Sequence, residues 1–402
     1  MTNKIENQIG VGCADISDLE KKYVNKVLDS ERLSYGPFLK EFEKKFAEKH
    51  DSKFAIAVNS GTDALRIALN CLKEVENWKD NEEVICPALT FVATANIILQ
   101  NNMKPVFVDI DEKTYNMHPE KIEEKITEKT RAIMVVNLFG QPADMDPIIE
   151  IAKKHNLKII EDSCETMLVK YKGKSVGSFG DIACFSTYVA HLIVTGVGGL
   201  MVTNNAKYAE IMRSIANHGR DGIYISMDDD KGKSENELKE IIQKRFKFIR
   251  TGYSSRITEM EGALGLAQLE RADEILGKRK QNAEYLISKL NKFEDKIQLP
   301  LKSEDREHAY MMFPIVIKES AGISKEELTF FLENNNIETR EMVPLINQPV
   351  YQELYGKDIE DKFPVTKWIN NYGFYIGCHQ KLTTKELDYI ISKFEEFFNN
   401  GK

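Results

Sequence analysis

The sequence predicts an α/β protein: a large domain built on a mostly parallel, seven-stranded sheet, followed by a smaller C-terminal α+β domain. Two observations predict it. Over roughly the first 270 residues, short β-branched runs alternate with amphipathic helical stretches. A long helical pattern over 259–293 then leads into a segment whose elements follow a different order. We place the large domain at 1–275 and the small one at 276–402, an ordinary division for 402 residues.

The elements follow in order. Strands are expected over 54–58, 83–86, 105–109, 131–136, 157–161, 182–185 and 199–203, where apolar β-branched residues are bounded by turn formers. Between them, helical spacing of apolar residues marks 63–75, 91–100, 119–126, 147–155 and 206–216. The polar, acidic stretch SMDDDKGKSENELKE, 226–240, reads as a solvated excursion. The 259–293 pattern should break near Gly277. Beyond it come a strand over 310–317, a helix opening at Ser324 and a last helix over 384–398. Glu327 and Glu386, each three residues after a Ser or Thr, complete capping boxes. In such a fold, ligands gather at the carboxyl ends of the parallel strands.

The bulk chemistry excludes several classes. Hydrophobic content of 42% and charged content of 29% suit a soluble core-forming protein. A net charge of −8 without a Lys/Arg-rich run argues against nucleic acid as a partner. No segment approaches the ~18 apolar residues of a membrane span, and MTNKIENQIG lacks the apolar stretch of a signal peptide. The six cysteines are scattered singly, which fits a reduced, cytoplasmic protein without a metal centre.

Three segments carry chemistry. In VNSGTDAL (58–65) a strand ends, Ser60-Gly61-Thr62 turns and a helix starts, which offers N–H groups and hydroxyls to an anion. In IIEDSCET (159–166), Asp162 stands at a strand end, where a carboxylate can pair with a protonated ring nitrogen. In CFSTYVAHLIVTGVGGLMVT (184–203), a strand delivers Ser186, His191 follows five residues later, and Gly196, Gly198 and Gly199 allow a tight return. Each has a plain structural reading alone: a capped helix, a strand-end acid, a core histidine.

Together and in order, with LSYGPFLKEFEKKFA, CPALTFVATANII, NLFGQPADMD, NHGRDG, TGYSSRITEMEGALGLAQLE and FYIGCHQKLTTKEL, they resemble the DegT-type sugar aminotransferases and dehydratases of the fold type I PLP enzymes. That resemblance covers nearly the whole chain. It implies that Gly61, Thr62 and Ser186 hold the phosphate of pyridoxal or pyridoxamine 5'-phosphate, that Phe91 stacks on the ring, and that Asp162 pairs with the ring nitrogen. Glu165 falls near the ring hydroxyl, where the family often has Gln or His. Ser254 stands where many members have an asparagine reaching the partner's phosphate in a homodimer. Tyr35, His218 and Arg220 are candidates for contact with the sugar or nucleotide.

In the family's aminotransferases a lysine five residues after the phosphate serine holds the cofactor covalently; here that position is His191. Imidazole cannot form an imine, and Lys170, Lys172, Lys174 and Lys207 read as surface residues. The cofactor must then be held non-covalently, as suits pyridoxamine phosphate. A histidine of near-neutral pKa is a competent base for eliminating a hydroxyl. His191, EDSCE, HGRDG and IGCH resemble the GDP-4-keto-6-deoxymannose 3-dehydratase members. This implies C3 dehydration of a nucleotide-linked 4-keto-6-deoxyhexose, with glutamate as amino donor. The iron–sulfur sister group needs clustered cysteines, and only Cys378 follows His191. Two departures stand out: Tyr188-Val189-Ala190 replaces an aromatic-Pro stretch, and Gly196-Val197-Gly198-Gly199 replaces Gly-Glu-Gly-Gly. An aminotransferase-like enzyme on another substrate, or a non-catalytic sugar-nucleotide or PLP-binding regulator, are the alternatives.

Overall fold

The computed structural model describes residues 5–221 and 232–400. Two helices precede the sheet, α1 (Asp18–Asp29), whose capping box is Ser17 and Glu20, and α2 (Pro37–Lys49). The large unit then runs β1 (Phe54–Val58), α3 (Gly61–Val75), β2 (Glu83–Pro87), α4 (Ala93–Gln100), β3 (Lys104–Val108), β4 (Thr130–Val136), α5 (Met145–Lys154) and β5 (Lys158–Asp162). A two-residue-per-strand hairpin, β6 (Lys170–Tyr171) and β7 (Lys174–Ser175), precedes β8 (Ile182–Ser186), β9 (Gly199–Thr203) and α6 (Ala206–Ala216).

The seven long strands form one sheet in the order β1-β9-β8-β5-β4-β2-β3. Every pair is parallel except those made by β9, which runs antiparallel to both β1 and β8. The period-2 pattern sorts side chains to two covered faces. Ile56, Val58, Cys184 and Met201 pack with α3, α4 and α6, whereas Ala55, Ala57, Phe185 and Leu200 pack with Phe42 and Phe46 of α2. The fold class is as predicted.

After the sheet come α7 (Glu235–Lys244), α8 (Glu259–Glu270) and α9 (Ala272–Leu290). α1 and α2 pack on α8. Glu259, 1% exposed, accepts from the N–H groups of Gly36 and Phe38 at 2.6 Å each and of Leu39 at 3.2 Å. It thereby caps α2, whose Gly36 has no side chain to do so. The C-terminal part holds β10 (Ile297–Gln298), β11 (Phe313–Ile317), α10 (Lys325–Asn334), β12 (Thr339–Glu341), α11 (Pro349–Tyr355), α12 (Pro364–Tyr372), β13 (Gly373–Ile376) and α13 (Thr384–Asn400). Its four strands pair antiparallel in the order β10-β11-β13-β12. The capping boxes at Ser324/Glu327 and Thr383/Glu386 both form.

Several expectations change. The stretch 119–126 is two single 3₁₀ turns, Pro119–Lys121 and Glu123–Lys125, because only Ile122 between them is buried. The long helix breaks at Arg271, not Gly277. Arg271 is held by Asp15 and Glu20, while Gly277 lies inside α9 with open space around it. The strand expected over 310–317 begins only at Phe313, since Tyr310 has φ +47°. Of the acidic stretch 226–240, residues 226–231 lie outside the described residues, and the rest enters α7, which buries only Ile241. All six cysteines are free.

Candidate active site

A cavity of about 380 Å³ opens at the carboxyl ends of β4, β5 and β8, where Val136, Asp162 and Ser186 line it. Seven residues singled out in the sequence line it together: Gly61, Thr62, Phe91, Asp162, Glu165, Ser186 and His191. No lysine or arginine is among its lining residues. Lys170, Lys172, Lys174 and Lys207 are exposed elsewhere.

One end of the cavity suits an anion. Ser60 caps α3 by accepting from Asp63 N at 3.0 Å. The first-turn N–H groups of Gly61 and Thr62 have no partner within the helix. Ser186, the last residue of β8, brings its hydroxyl to the same place. The approach is close: a Cβ on Gly61 would lie 2.7 Å from Ser186 Cβ and 2.8 Å from Cys164 Sγ.

A second region suits a cation. Asp162, 4% exposed, accepts from Thr94 Oγ1 at 2.7 Å on Oδ2 and from Cys164 N at 3.3 Å on Oδ1. Burial pushes its carboxyl up, and the Thr94 bond partly offsets this. Glu165, 8% exposed, accepts from Phe139 N at 3.1 Å. Burial, with a smaller contribution from the charge of Asp162, moves it up to about 7. Two buried carboxylates with no cation lining their cavity call for a positive partner from a ligand. A flat ring with a protonated nitrogen and a phosphate matches both ends of the cavity. Phe91 lines it while 57% exposed, so an aromatic face waits at its opening.

His191 sits on the loop joining β8 to β9. That loop is closed by main-chain bonds from Thr187 N to Gly198 O at 2.9 Å, Val189 N to Gly196 O at 3.0 Å and Thr195 N to Thr187 O at 2.9 Å. Gly196 and Gly198 take φ of +98° and +154°, and a Cβ on Gly198 would lie 2.5 Å from Thr187 Oγ1. The imidazole Nδ1 stands 3.3 Å from the carbonyl of Ser186. A carbonyl only accepts, so Nδ1 carries the proton and Nε2 keeps the lone pair. Burial, and then the charge of Arg279, lower the pKa to about 4, against the near-neutral value expected from the sequence. The ring is therefore neutral and able to accept a proton throughout the physiological range.

The other sequence candidates lie away from the cavity. Tyr35 donates to Glu43 at 2.9 Å and accepts from Arg213 at 2.6 Å, bracing an ion pair. His218, Arg220 and Ser254 share one surface region at the end of α6. His218 N bonds Tyr253 O, the Arg220 guanidinium lies 5.6 Å from the rings of Phe246 and Phe248, and Ser254 Oγ accepts from Arg256 at 3.3 Å. Sequence reasoning missed Thr94, whose place four residues after Thr90 on the first turn of α4 was a usable signal. Tyr188, noted in the sequence only as a departure from the family pattern, meets His191 edge to face at 5.9 Å. Met311, Met312, Val343 and Tyr375 line the cavity from the C-terminal part without any chemical signature.

The DegT/DnrJ/EryC1/StrS aminotransferase family matches residues 14–395. The chain is 36% identical to lipopolysaccharide biosynthesis protein RfbH of Salmonella typhimurium, over 91% of this chain and 86% of that one. It is 34% identical to GDP-perosamine synthase of Escherichia coli O157:H7, over 95% and 96%. Among solved structures it is similar to E. coli GDP-4-keto-6-deoxy-D-mannose-3-dehydratase with bound hydrated PLP. The TM-score is 0.87 at 29% identity, covering 96% of this chain and 99% of that one. Among the described residues no helix is long and apolar enough to cross a membrane.

Proposed function

The chain belongs to the DegT/DnrJ/EryC1/StrS aminotransferase family, and from that premise we propose that it is a 3-dehydratase of a nucleotide-linked 4-keto-6-deoxyhexose. It uses pyridoxamine and pyridoxal 5'-phosphate held without a covalent bond, and His191 is its base. The observation that carries this reading is a cavity with every part of the cofactor frame, a histidine at the expected place and no lysine lining it. Similarity alone does not choose between outcomes, since the chain resembles both a perosamine synthase and a dehydratase to a comparable degree.

When bound, pyridoxamine phosphate supplies a primary amine that condenses with the sugar ketone and a ring that accepts electrons. The rest falls to this chain. Gly61, Thr62 and Ser186 take the phosphate, and Phe91 covers the ring. Asp162, whose ionised form Thr94 favours, would pair with a protonated ring nitrogen. Glu165 stands on the side of the ring hydroxyl. His191 Nε2 would take a proton from the carbon that bears the cofactor's amine and return it to the hydroxyl leaving C3. An anionic ligand in the cavity raises its basicity by opposing Arg279. Glutamate would be the amino donor, as suits an aminotransferase frame.

The reading includes a homodimer in which Ser254 faces the partner's site. Phe246, Phe248 and Ile249 near it are 82%, 48% and 48% exposed, an apolar surface that such a dimer would cover. Its place is the cytoplasm.

The test is to incubate the protein with pyridoxamine phosphate, glutamate and GDP-4-keto-6-deoxy-D-mannose or its relatives, then weigh the product. Loss of water with release of ammonia supports dehydration. A product that keeps the nitrogen means the chain aminates, the second reading that its identity to the perosamine synthase favours. His191→Asn should keep cofactor binding and lose elimination; full activity there removes the base role. A borohydride-trapped protein–cofactor bond in the native chain overturns non-covalent holding.

A further inference from the structure

Behind the loop that carries His191, a guanidinium is buried with no carboxylate paired to it among the described residues. Arg279, on α9, is fully buried. Nη1 donates to the carbonyls of Met311 at 3.0 Å and Tyr310 at 3.3 Å. Nη2 donates to the carbonyl of His191 at 3.4 Å. Nε has no hydrogen-bond partner, and no carboxylate pairs with the side chain among the described residues. A buried arginine that no acid balances is destabilising, so a merely structural strut would be better built from an apolar residue.

The three acceptors mark what the arginine joins. All are main-chain carbonyls, so the contact does not depend on which side chains surround the cavity. His191 belongs to the β8–β9 loop, while Tyr310 and Met311 lie just before β11. His191 and Met311 both line the cavity, so one planar fork holds two walls that are far apart in sequence. Tyr310, at φ +47°, is kept in an uncommon conformation at this junction.

We propose that Arg279 is a positioning residue for His191: it ties the main chain of the base to the segment bearing Met311 and so holds Nε2 toward the cavity as a proton acceptor. The inference rests on His191 being the base. The charge of Arg279 acts in the same direction, because a nearby cation disfavours protonated imidazole. The other titratable groups lining the cavity are Tyr188, which meets the ring edge to face, Asp162, Cys164 and Glu165 at or just past the end of β5, and Tyr375 from β13. Among the described residues, Arg279 is the cation whose charge acts on the ring.

The test uses full-length protein labelled at histidine Cε1. His191→Asn assigns the His191 signal among seven histidines. In cofactor-free Arg279→Met, His191 should titrate higher than in the native chain. In the loaded enzyme, kcat should fall about 10- to 100-fold with KM nearly unchanged. Arg279→Lys keeps the charge and loses the fork, so it should titrate as the native chain does while kcat still falls. An unmoved His191 signal in Arg279→Met, or an unchanged kcat in either variant, overturns the proposal. If the methionine variant does not fold, kcat of the lysine variant decides. An aminated product from the native chain would defeat the dehydratase reading, yet the cofactor-free titration still judges Arg279.

Discussion

Thr94 Oγ1 donates to Asp162 Oδ2 at 2.7 Å, with Thr90 Oγ1 2.9 Å behind it, and all three side chains are buried. This chain of hydroxyls fixes the carboxylate and favours its ionised form against the effect of burial. Thr94→Val keeps the shape and removes the donor. A hydrogen bond to a charged group contributes about 1.5–3 kcal/mol, so affinity for pyridoxal phosphate should drop roughly 10- to 100-fold, read by absorbance titration. Thr90→Val, one step removed, should have a smaller effect.

Glu165 has a pH signature of its own. Its folded pKa of about 7 lies above the unfolded value near 4.5, so the folded state holds its proton more tightly. The stability linked to it is therefore present below the unfolded value and lost as pH rises to about 7. Glu165→Gln should stabilise the cofactor-free protein by up to about 3 kcal/mol at pH 8 and leave it nearly unchanged at pH 4. Urea midpoints at the two pH values measure this; equal midpoints at pH 8 would show that Glu165 is not held in a desolvated state.

At Gly61 the constraint is space. The 2.7 and 2.8 Å approaches that a Cβ would make leave Gly61→Ala no room without moving Ser186 or Cys164. We expect a loss of about 1–3 kcal/mol in thermal or urea unfolding, in the range of overpacked cores. Cofactor affinity should fall at least about tenfold, because the shift separates the two halves of the anion site.

Away from the cavity, His50 makes the protein acid-sensitive. It is fully buried, with Nδ1 2.8 Å from Phe46 O and Nε2 accepting from Leu168 N at 3.2 Å, an arrangement only the neutral ring satisfies. Burial lowers its folded pKa to about 4, below the unfolded value of 6.5. Its stabilisation is complete above pH 6.5 and is lost as pH falls toward 4, about 3 kcal/mol in all. His50→Gln should be less stable at pH 7, and the gap to the native chain should close by that amount at pH 4 in denaturant titrations.

Much of the fold was legible because local and tertiary demands agreed. FAIAV and GLMVT are apolar runs between turn formers, and both became strands with the expected bounds. Where a tertiary contact decided the outcome, the sequence misled. Gly277 looks like a helix breaker, yet nothing crowds it, and the chain turns at Arg271 because Asp15 and Glu20 hold that side chain. The same division runs through the site. Asp162, Ser186 and His191 each have a plain reading alone and stood out through the family resemblance, and the structure brings them to one cavity. Met311, Met312, Val343 and Tyr375 arrive from the C-terminal part, apolar or aromatic residues whose position only the packing reveals.

The antiparallel course of β9 has a consequence for how such a protein can change. Because the chain returns directly from β8, the loop bearing position 191 is secured by bonds between main-chain groups. Main-chain bonds do not read side-chain identity. The sheet therefore places few demands on which residue occupies that position, and a substitution there can leave the scaffold intact. In this architecture the fold of the loop and the identity of the side chain it presents are inherited almost separately.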